Sequence, residues 1–173
     1  MKIINQRIYD SAFKHGFPPD FFRESYFDGV VFYCVPDGAD FNFSRFRNCR
    51  FIVCRIRDVR FDGTNFEDTQ FHGCEMFRVT FFASLMAHTH IYDSALSLVS
   101  FQMAKLKSCN TCNSIMDRVG FYNATLDGCG YSGITATNTK ALDTAAITMG
   151  GATNEECERN RASIFNALGV SEP

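Results

Sequence analysis

Every fifth residue through the middle of this 173-residue chain is large and apolar. The series runs Phe41, Phe46, Phe51, Ile56, Phe61 and on to Tyr131, and Thr111 is its one exception. Two residues ahead of each member stands a small or β-branched side chain: Ala39, Ser44, Cys49, Cys54, Val59, and so on to Cys129. The register is read from about Gly29 to about Tyr131, with no insertion or deletion expected within it. A period of five is foreign to both common elements. On an α-helix such positions would spiral around the axis, and on a flat strand they would alternate between faces. A short extended piece followed by a corner removes both objections. The small and large residues, two apart, then point inward together. The corner falls on positions rich in Gly, Asn and Asp (Asn48, Asp58, Gly63, Asp68, Gly73), residues that suit turns. Such a chain must coil.

Residues twenty apart show how many sides the coil has. At that spacing Phe41, Phe61, Phe81, Phe101 and Phe121 form one column, and Val59, Val79, Val99 and Val119 form another beside it. These nine residues are the expected structural core. Charges agree: Asp40 meets Arg60, Arg47 meets Glu67, Arg55 meets Glu75, Asp58 meets Arg78 and Lys107 meets Asp127. A fifteen-residue coil scrambles both columns and sets Arg45 on Arg60. Four sides therefore fit and three do not.

Ala39-Asp40-Phe41-Asn42-Phe43 and Thr64-Asn65-Phe66-Glu67-Asp68 resemble the motif of the pentapeptide-repeat family: a small residue, a polar one, Leu or Phe, then two variable positions. The resemblance covers about 100 residues. It implies an all-β fold, a right-handed quadrilateral parallel β-helix, to which the residues at each end add short terminal capping helices. About five coils at one strand spacing each would make a rod roughly 25 Å long.

A solenoid must cover its end coils. The expected division is an N-terminal cap with a short helix over 1–26, the β-helix over 27–150, and a C-terminal helix over 153–169. Ile4, Ile8 and Ala12 have the spacing of one helical face, stopped by Gly16 and Pro18-Pro19. At the other end Thr153 or Asn154 can cap a helix with Glu155 and Glu156 in its first turn, and Cys157, Ile164, Phe165 and Leu168 fall on one side. Ile164, Phe165 and Leu168 are expected either to cover the last coil or to form a homodimer, the latter because topoisomerase-directed members of the family dimerise through their C-terminal ends.

Residues that look chemical mostly fall into the repeat. Of eight cysteines, Cys34, Cys49, Cys54, Cys74, Cys109 and Cys129 are read into the inward small slot as apolar filler. Cys109-Asn110-Thr111-Cys112 has CxxC spacing, but the register sends Cys109 in and Cys112 out. His88 and His90 flank an inward Thr89 and read as a solvated pair. The arginines between 45 and 60 girdle the rod on successive sides, and only Arg45 and Arg50 lack an acidic partner in the column reading; they are the candidate partner-binding residues. No catalytic residue, cofactor or metal ligand is expected.

Seventeen Lys and Arg against nineteen Asp and Glu, net −2, argue against a nucleic-acid binder and against an acidic nucleic-acid mimic. No stretch suggests a signal peptide or a membrane span, so the expectation is a soluble cytoplasmic protein. The expected function is non-catalytic: a scaffold presenting flat β-helix faces to a protein partner. The family resemblance supplies an alternative, a quinolone-resistance-like protection factor that binds DNA gyrase or topoisomerase IV as a DNA mimic. Nine acidic residues against ten basic ones between Ala39 and Tyr131, with no projecting loop, depart from that pattern.

Overall fold

The computed structural model describes residues 1–139 and 146–148, which form a four-sided parallel β-helix. The C-terminal helix expected over 153–169 lies outside the described residues. Three sides carry parallel sheets. The first stacks eight strands, Lys2–Ile4, Ser25–Asp28, Arg45–Arg47, Asn65–Glu67, Leu85–Ala87, Lys105–Lys107, Thr125–Asp127 and Ala146–Thr148, more layers than the five coils counted from the sequence. The second has six strands, from Val31–Phe32 to Gly130–Ser132, and the third has five, from Arg55–Arg57 to Thr135–Thr137. The fourth side has only single bridges, Asp40 to Arg60 to Thr80 to Ser100 to Gly120. It then closes in a hydrogen-bonded turn: the Ser44 N–H donates to the Phe41 carbonyl at 3.1 Å, and the same bond recurs as far as Ala124 and Phe121 at 2.9 Å.

From Arg45 to Thr137 partners are twenty residues apart, as in Phe46 on Phe66 and Met86 on Leu106, whereas the last rung of the first sheet, Leu126 on Ile147, is offset by twenty-one. Every fifth residue from Phe43 to Asn138 has a positive φ, between 49° and 64°. These are the corners. Glycine and asparagine adopt this region at little cost, but Val53, β-branched, holds φ 52° against its preference. Gly63 matters for a second reason: a Cβ there would sit 2.7 Å from the Phe43 ring that lies across it.

Inside, the Phe column is continuous. Phe41, Phe61, Phe81, Phe101 and Phe121 are buried and nearly parallel, with centroids 4.9–5.1 Å apart. Val59, Val79, Val99 and Val119 are buried beside them. The small slot also has a bonding duty. Ser44 Oγ donates to the Phe22 carbonyl (2.8 Å), Thr64 Oγ1 to Phe41 (3.1 Å), Cys74 Sγ to Phe51 (3.4 Å) and Cys129 Sγ to Leu106 (3.5 Å). Each ties its coil to the one below. Serine, threonine and cysteine interchange there because all three are small donors.

The coil that holds Phe22, Phe27 and Phe32 is also out of register. Phe22 stacks on Phe41, Phe27 on Phe46 and Phe32 on Phe51, so the offset is nineteen. The frame recovers by Asp40, which bridges Arg60. One residue is thus missing between Val35 and Ala39. Val35 takes the inward small slot at 3% exposure, and Cys34, expected inside, is exposed. That coil also has no strand on the third side.

The N-terminal helix, Gln6–His15, covers this coil. Asn5 caps it by accepting from the Ile8 N–H at 3.0 Å, and Gly16 (φ 78°) ends it. Among its described side chains the buried one is Tyr9, whereas Ile8 is 39% exposed and Ile4 belongs to the preceding strand; the Ala12 side chain lies outside the described set. The cap also satisfies open sheet edges. The Gln6 side-chain amide donates to the Val31 carbonyl (3.0 Å) and accepts from its N–H (2.8 Å), copying a strand. The Tyr9 hydroxyl donates to the Cys34 carbonyl, with its ring edge-on to Phe32.

Candidate interaction surface

With the interior packed by Phe, Val, Met and Leu, chemistry is confined to the outer positions. Burial pushes the Cys49 thiol up to about 11, and the Cys129 thiol together with burial raises Cys109 as well. Protonated in this way, Cys49 and Cys109 are poor nucleophiles and poor ligands. Cys109 is buried and Cys112 half-buried on the outer side of the second sheet, so the CxxC spacing does not converge on one site. His90 Nδ1 accepts the Asn110 N–H at 3.2 Å, and His72 contacts Asp93 at 3.1 Å. Among the described residues no group of three or more His, Cys, Asp or Glu side chains is placed to hold a metal ion.

The outer charges of the first coils form ladders. Arg55 meets Glu75 at 3.4 Å, and Arg78 grips Asp58 with two bonds of 2.5 and 2.7 Å. That grip holds the Asp58 carboxyl below the usual carboxylate range. Asp40, almost fully buried, accepts from both Arg23 (3.4 Å) and Arg60 (3.3 Å). Arg47 is held first by a hydrogen bond with Tyr26 and then by attraction to Glu67, and Lys107 shares a rung with Asp127. Arg45 and Arg50 are exposed and make no ion pair among the described residues. They open strands on adjoining sides, Arg45–Arg47 and Arg50–Ile52, so they do not converge on one flat face. Ile164, Phe165 and Leu168 lie outside the described residues.

A different surface stands out on the fourth side. In the coils that contain Thr80, Ser100 and Gly120 its outer positions carry no charge; the second outer column there is Phe82, Gln102 and Tyr122. Leu98 at one corner and Met103 at the other extend it. Phe82, Leu98, Met103 and Tyr122 are 42%, 38%, 48% and 54% exposed, large apolar side chains left in water on one face. Backbone demands are met along it: Asp62 accepts the Phe82 N–H at 3.1 Å, and Asn42 accepts that of Asp62 at 2.7 Å. These residues fill the two variable positions of the five-residue repeat, so the inward register says nothing about them. Reading those positions as columns of twenty is the signal that finds them.

A family model agrees with this architecture over part of the chain: that of pentapeptide repeats, which matches residues 37–76 with eight copies. No curated protein matches the sequence. Among solved structures, QnrB1, a plasmid-mediated fluoroquinolone resistance protein, is similar at 12% identity and TM-score 0.46, over 88% of this chain and 92% of that one. A pentapeptide repeat protein of the Arabidopsis thaliana thylakoid lumen is similar at 18% identity and TM-score 0.34, over 86% and 99%. HetL of Nostoc, involved in regulating heterocyst differentiation, is similar at 10% identity and TM-score 0.24, over 87% and 100%. All three TM-scores fall below 0.5, and the fold rests on the register and hydrogen bonding described above.

Proposed function

We propose, from the premise that this chain is a pentapeptide-repeat protein, that it is a non-catalytic scaffold that binds a protein partner through its fourth side. The observation that carries this reading is the apolar group Phe82, Leu98, Met103 and Tyr122, flanked at one corner by Arg78 and Arg118, on a rigid, hydrogen-bonded rod. Exposed apolar side chains grouped on a preordered surface favour protein association, because little ordering entropy opposes binding. The packed interior supports the non-catalytic part, since the inward side chains fill the space a substrate would need. Acids and bases interleave along the rod, and Arg55–Glu75 and Arg78–Asp58 neutralise one another. Such a surface does not favour the imitation of duplex DNA.

The test is proximity labelling in cells with three proteins: wild type, Phe82→Asp/Met103→Asp on the fourth side, and Ala95→Asp/Thr135→Asp on the third. The expected result is a partner that is lost from the fourth-side variant and kept by the third-side variant, with thermal unfolding unchanged. A partner kept by all three proteins would sink the fourth-side reading. A supercoiling assay with gyrase and a fluoroquinolone tests the protection-factor alternative: neither rescue nor inhibition at micromolar protein excludes it.

A further inference from the structure

We infer that the fourth side is self-complementary and that its partner is a second copy of this chain, the two rods lying side by side and parallel about a two-fold axis along their length. This rests on the reading of that side as a binding face and names its occupant. A two-fold of this kind sets the column Asp40, Arg60, Thr80, Ser100, Gly120 of one copy against the column Asn42, Asp62, Phe82, Gln102, Tyr122 of the other, rung by rung.

Chemistry matches at each rung. Arg60 comes opposite Asp62 of the second copy, and the reciprocal contact repeats the pair with opposite charges. Arg60, 58% exposed at its side chain, has further N–H groups beyond the one given to Asp40, and Asp62 has a second oxygen beyond the one that accepts from Phe82. Higher up, large meets small. Phe82 faces Thr80, and Tyr122 faces Gly120, where even an added Cβ would have nothing within 4 Å. Between these rungs Ser100 faces Gln102, polar against polar. The corners match as well: Leu98 faces Met103, and Gly38 faces Phe43. The charged corner residues Asp58, Arg78 and Arg118 face Gly63, Ala83 and Asn123, so no like charges meet.

The antiparallel pairing of the same faces lacks this match. It sets Arg78 against Arg118 and Phe82 against Tyr122, like on like. Charge and shape therefore select the parallel arrangement. Asp40 and Asn42 are already buried within each copy, so the four rungs from Arg60 to Gly120, at about 4.8 Å each, make a contact about 19 Å long and one side wide. That is roughly a few hundred Å2 per copy, below the roughly 800 Å2 of stable complexes, so association is concentration-dependent rather than obligate.

Sedimentation velocity on the full chain, from low to high micromolar protein, tests the inference. Wild type is expected to move from monomer to dimer across that range. Gly120→Tyr fills the position opposite Tyr122 and is expected to weaken association at least about tenfold. Adding Tyr122→Gly exchanges large and small, and is expected to restore it to within about threefold of wild type. Thr80→Tyr, opposite Phe82, repeats the first effect at another rung, and far-UV circular dichroism confirms that each variant is folded. A wild type that remains monomeric to about 500 μM overturns the inference, as does association that Gly120→Tyr and Thr80→Tyr leave unchanged. A monomer that still loses a different protein on Phe82→Asp/Met103→Asp would remove the second copy and leave the binding face standing.

Discussion

Up to Phe71, phenylalanine fills the large inward position on three sides of the rod. Phe41 and Phe61 lie on the fourth side, Phe46 and Phe66 on the first, and Phe51 and Phe71 on the second. Beyond that point only the fourth side keeps it, at Phe81, Phe101 and Phe121; the first passes to Met86 and Leu106, and the second to Ile91 and Thr111. The outside changes in parallel. Ion-pair ladders wrap the early coils, where Phe43 and Val53 are bare at separate corners, and on the later coils bare apolar side chains gather on the fourth side. The early coils hold the rod together, and the later ones have surface to offer.

The difference is sharpest between two phenylalanines of one column. Phe61 has ring contacts within 6.5 Å with Phe41, Phe46, Phe51, Phe66, Phe71 and Phe81. Phe101 has ring contacts with Phe81 and Phe121. Both are fully buried, so the transfer terms are alike and the aromatic pairs differ. Phe61→Ala is expected to cost about 4–5 kcal/mol and Phe101→Ala about 3 kcal/mol in equilibrium denaturation. An equal loss at the two sites would mean that ring geometry adds nothing to burial.

Asp40 sharpens the electrostatic half of the comparison. Its carboxylate is nearly buried, accepts from the Asn42 N–H at 2.9 Å, and lies between Arg23 and Arg60. Asp40→Ala leaves that N–H and two guanidinium groups without their acceptor. A loss of about 2 kcal/mol in urea unfolding is expected. A loss below about 0.5 kcal/mol would place this cluster with ordinary surface pairs.

Gln6 tests the end of the rod. Its amide stands in for a strand against Val31, so Gln6→Ala opens one sheet edge without touching the core. The expected cost is about 1 kcal/mol, seen as faster hydrogen exchange at the Val31 amide while the amides of the later coils are unchanged. Faster exchange throughout would show that the cap and the rod unfold as one unit.

How much of this could be read beforehand depends on where the repeat speaks. The inward columns follow from residue size alone, since a misplaced Phe has no room, and Phe41 to Phe121 were legible as such. The corner positions were legible from Gly, Asn and Asp, although Val53 shows that the fold can impose the same backbone on a residue that resists it. The one-residue deletion before Ala39 was not read. Counting backward from Ala39 in a single frame leads to Cys34, while Phe22, Phe27 and Phe32 keep the five-residue spacing in the other frame. In the N-terminal helix, Tyr9 outcompetes Ile8 for the interior because its hydroxyl also satisfies a carbonyl at the sheet edge. The fourth-side surface was hidden for a different reason: outward positions are free to vary, so only their stacking twenty apart gives Phe82 and Tyr122 meaning.

The smallest effect concerns a single rung of the later coils. The His90 N–H donates to the Thr69 carbonyl and the Gly130 N–H to the Cys109 carbonyl, both at 2.9 Å. At Asn110, between them, the acceptor is the His90 ring nitrogen. Only a neutral imidazole can accept there. Burial, and then the neighbouring His88, hold His90 below the usual histidine range, with Asp68 opposing. A lowered folded-state value means the unfolded chain takes up this proton first. Stability is therefore complete above the ordinary histidine value of about 6.5 and falls as the pH drops through the lower folded value. Urea midpoints are expected to decline from about pH 7.5 to about pH 5, and His90→Gln should flatten part of that decline, because an uncharged amide oxygen can accept the same N–H. If His90→Gln keeps the full acid loss, the proton is taken up elsewhere, and the later coils owe this pH sensitivity to another group.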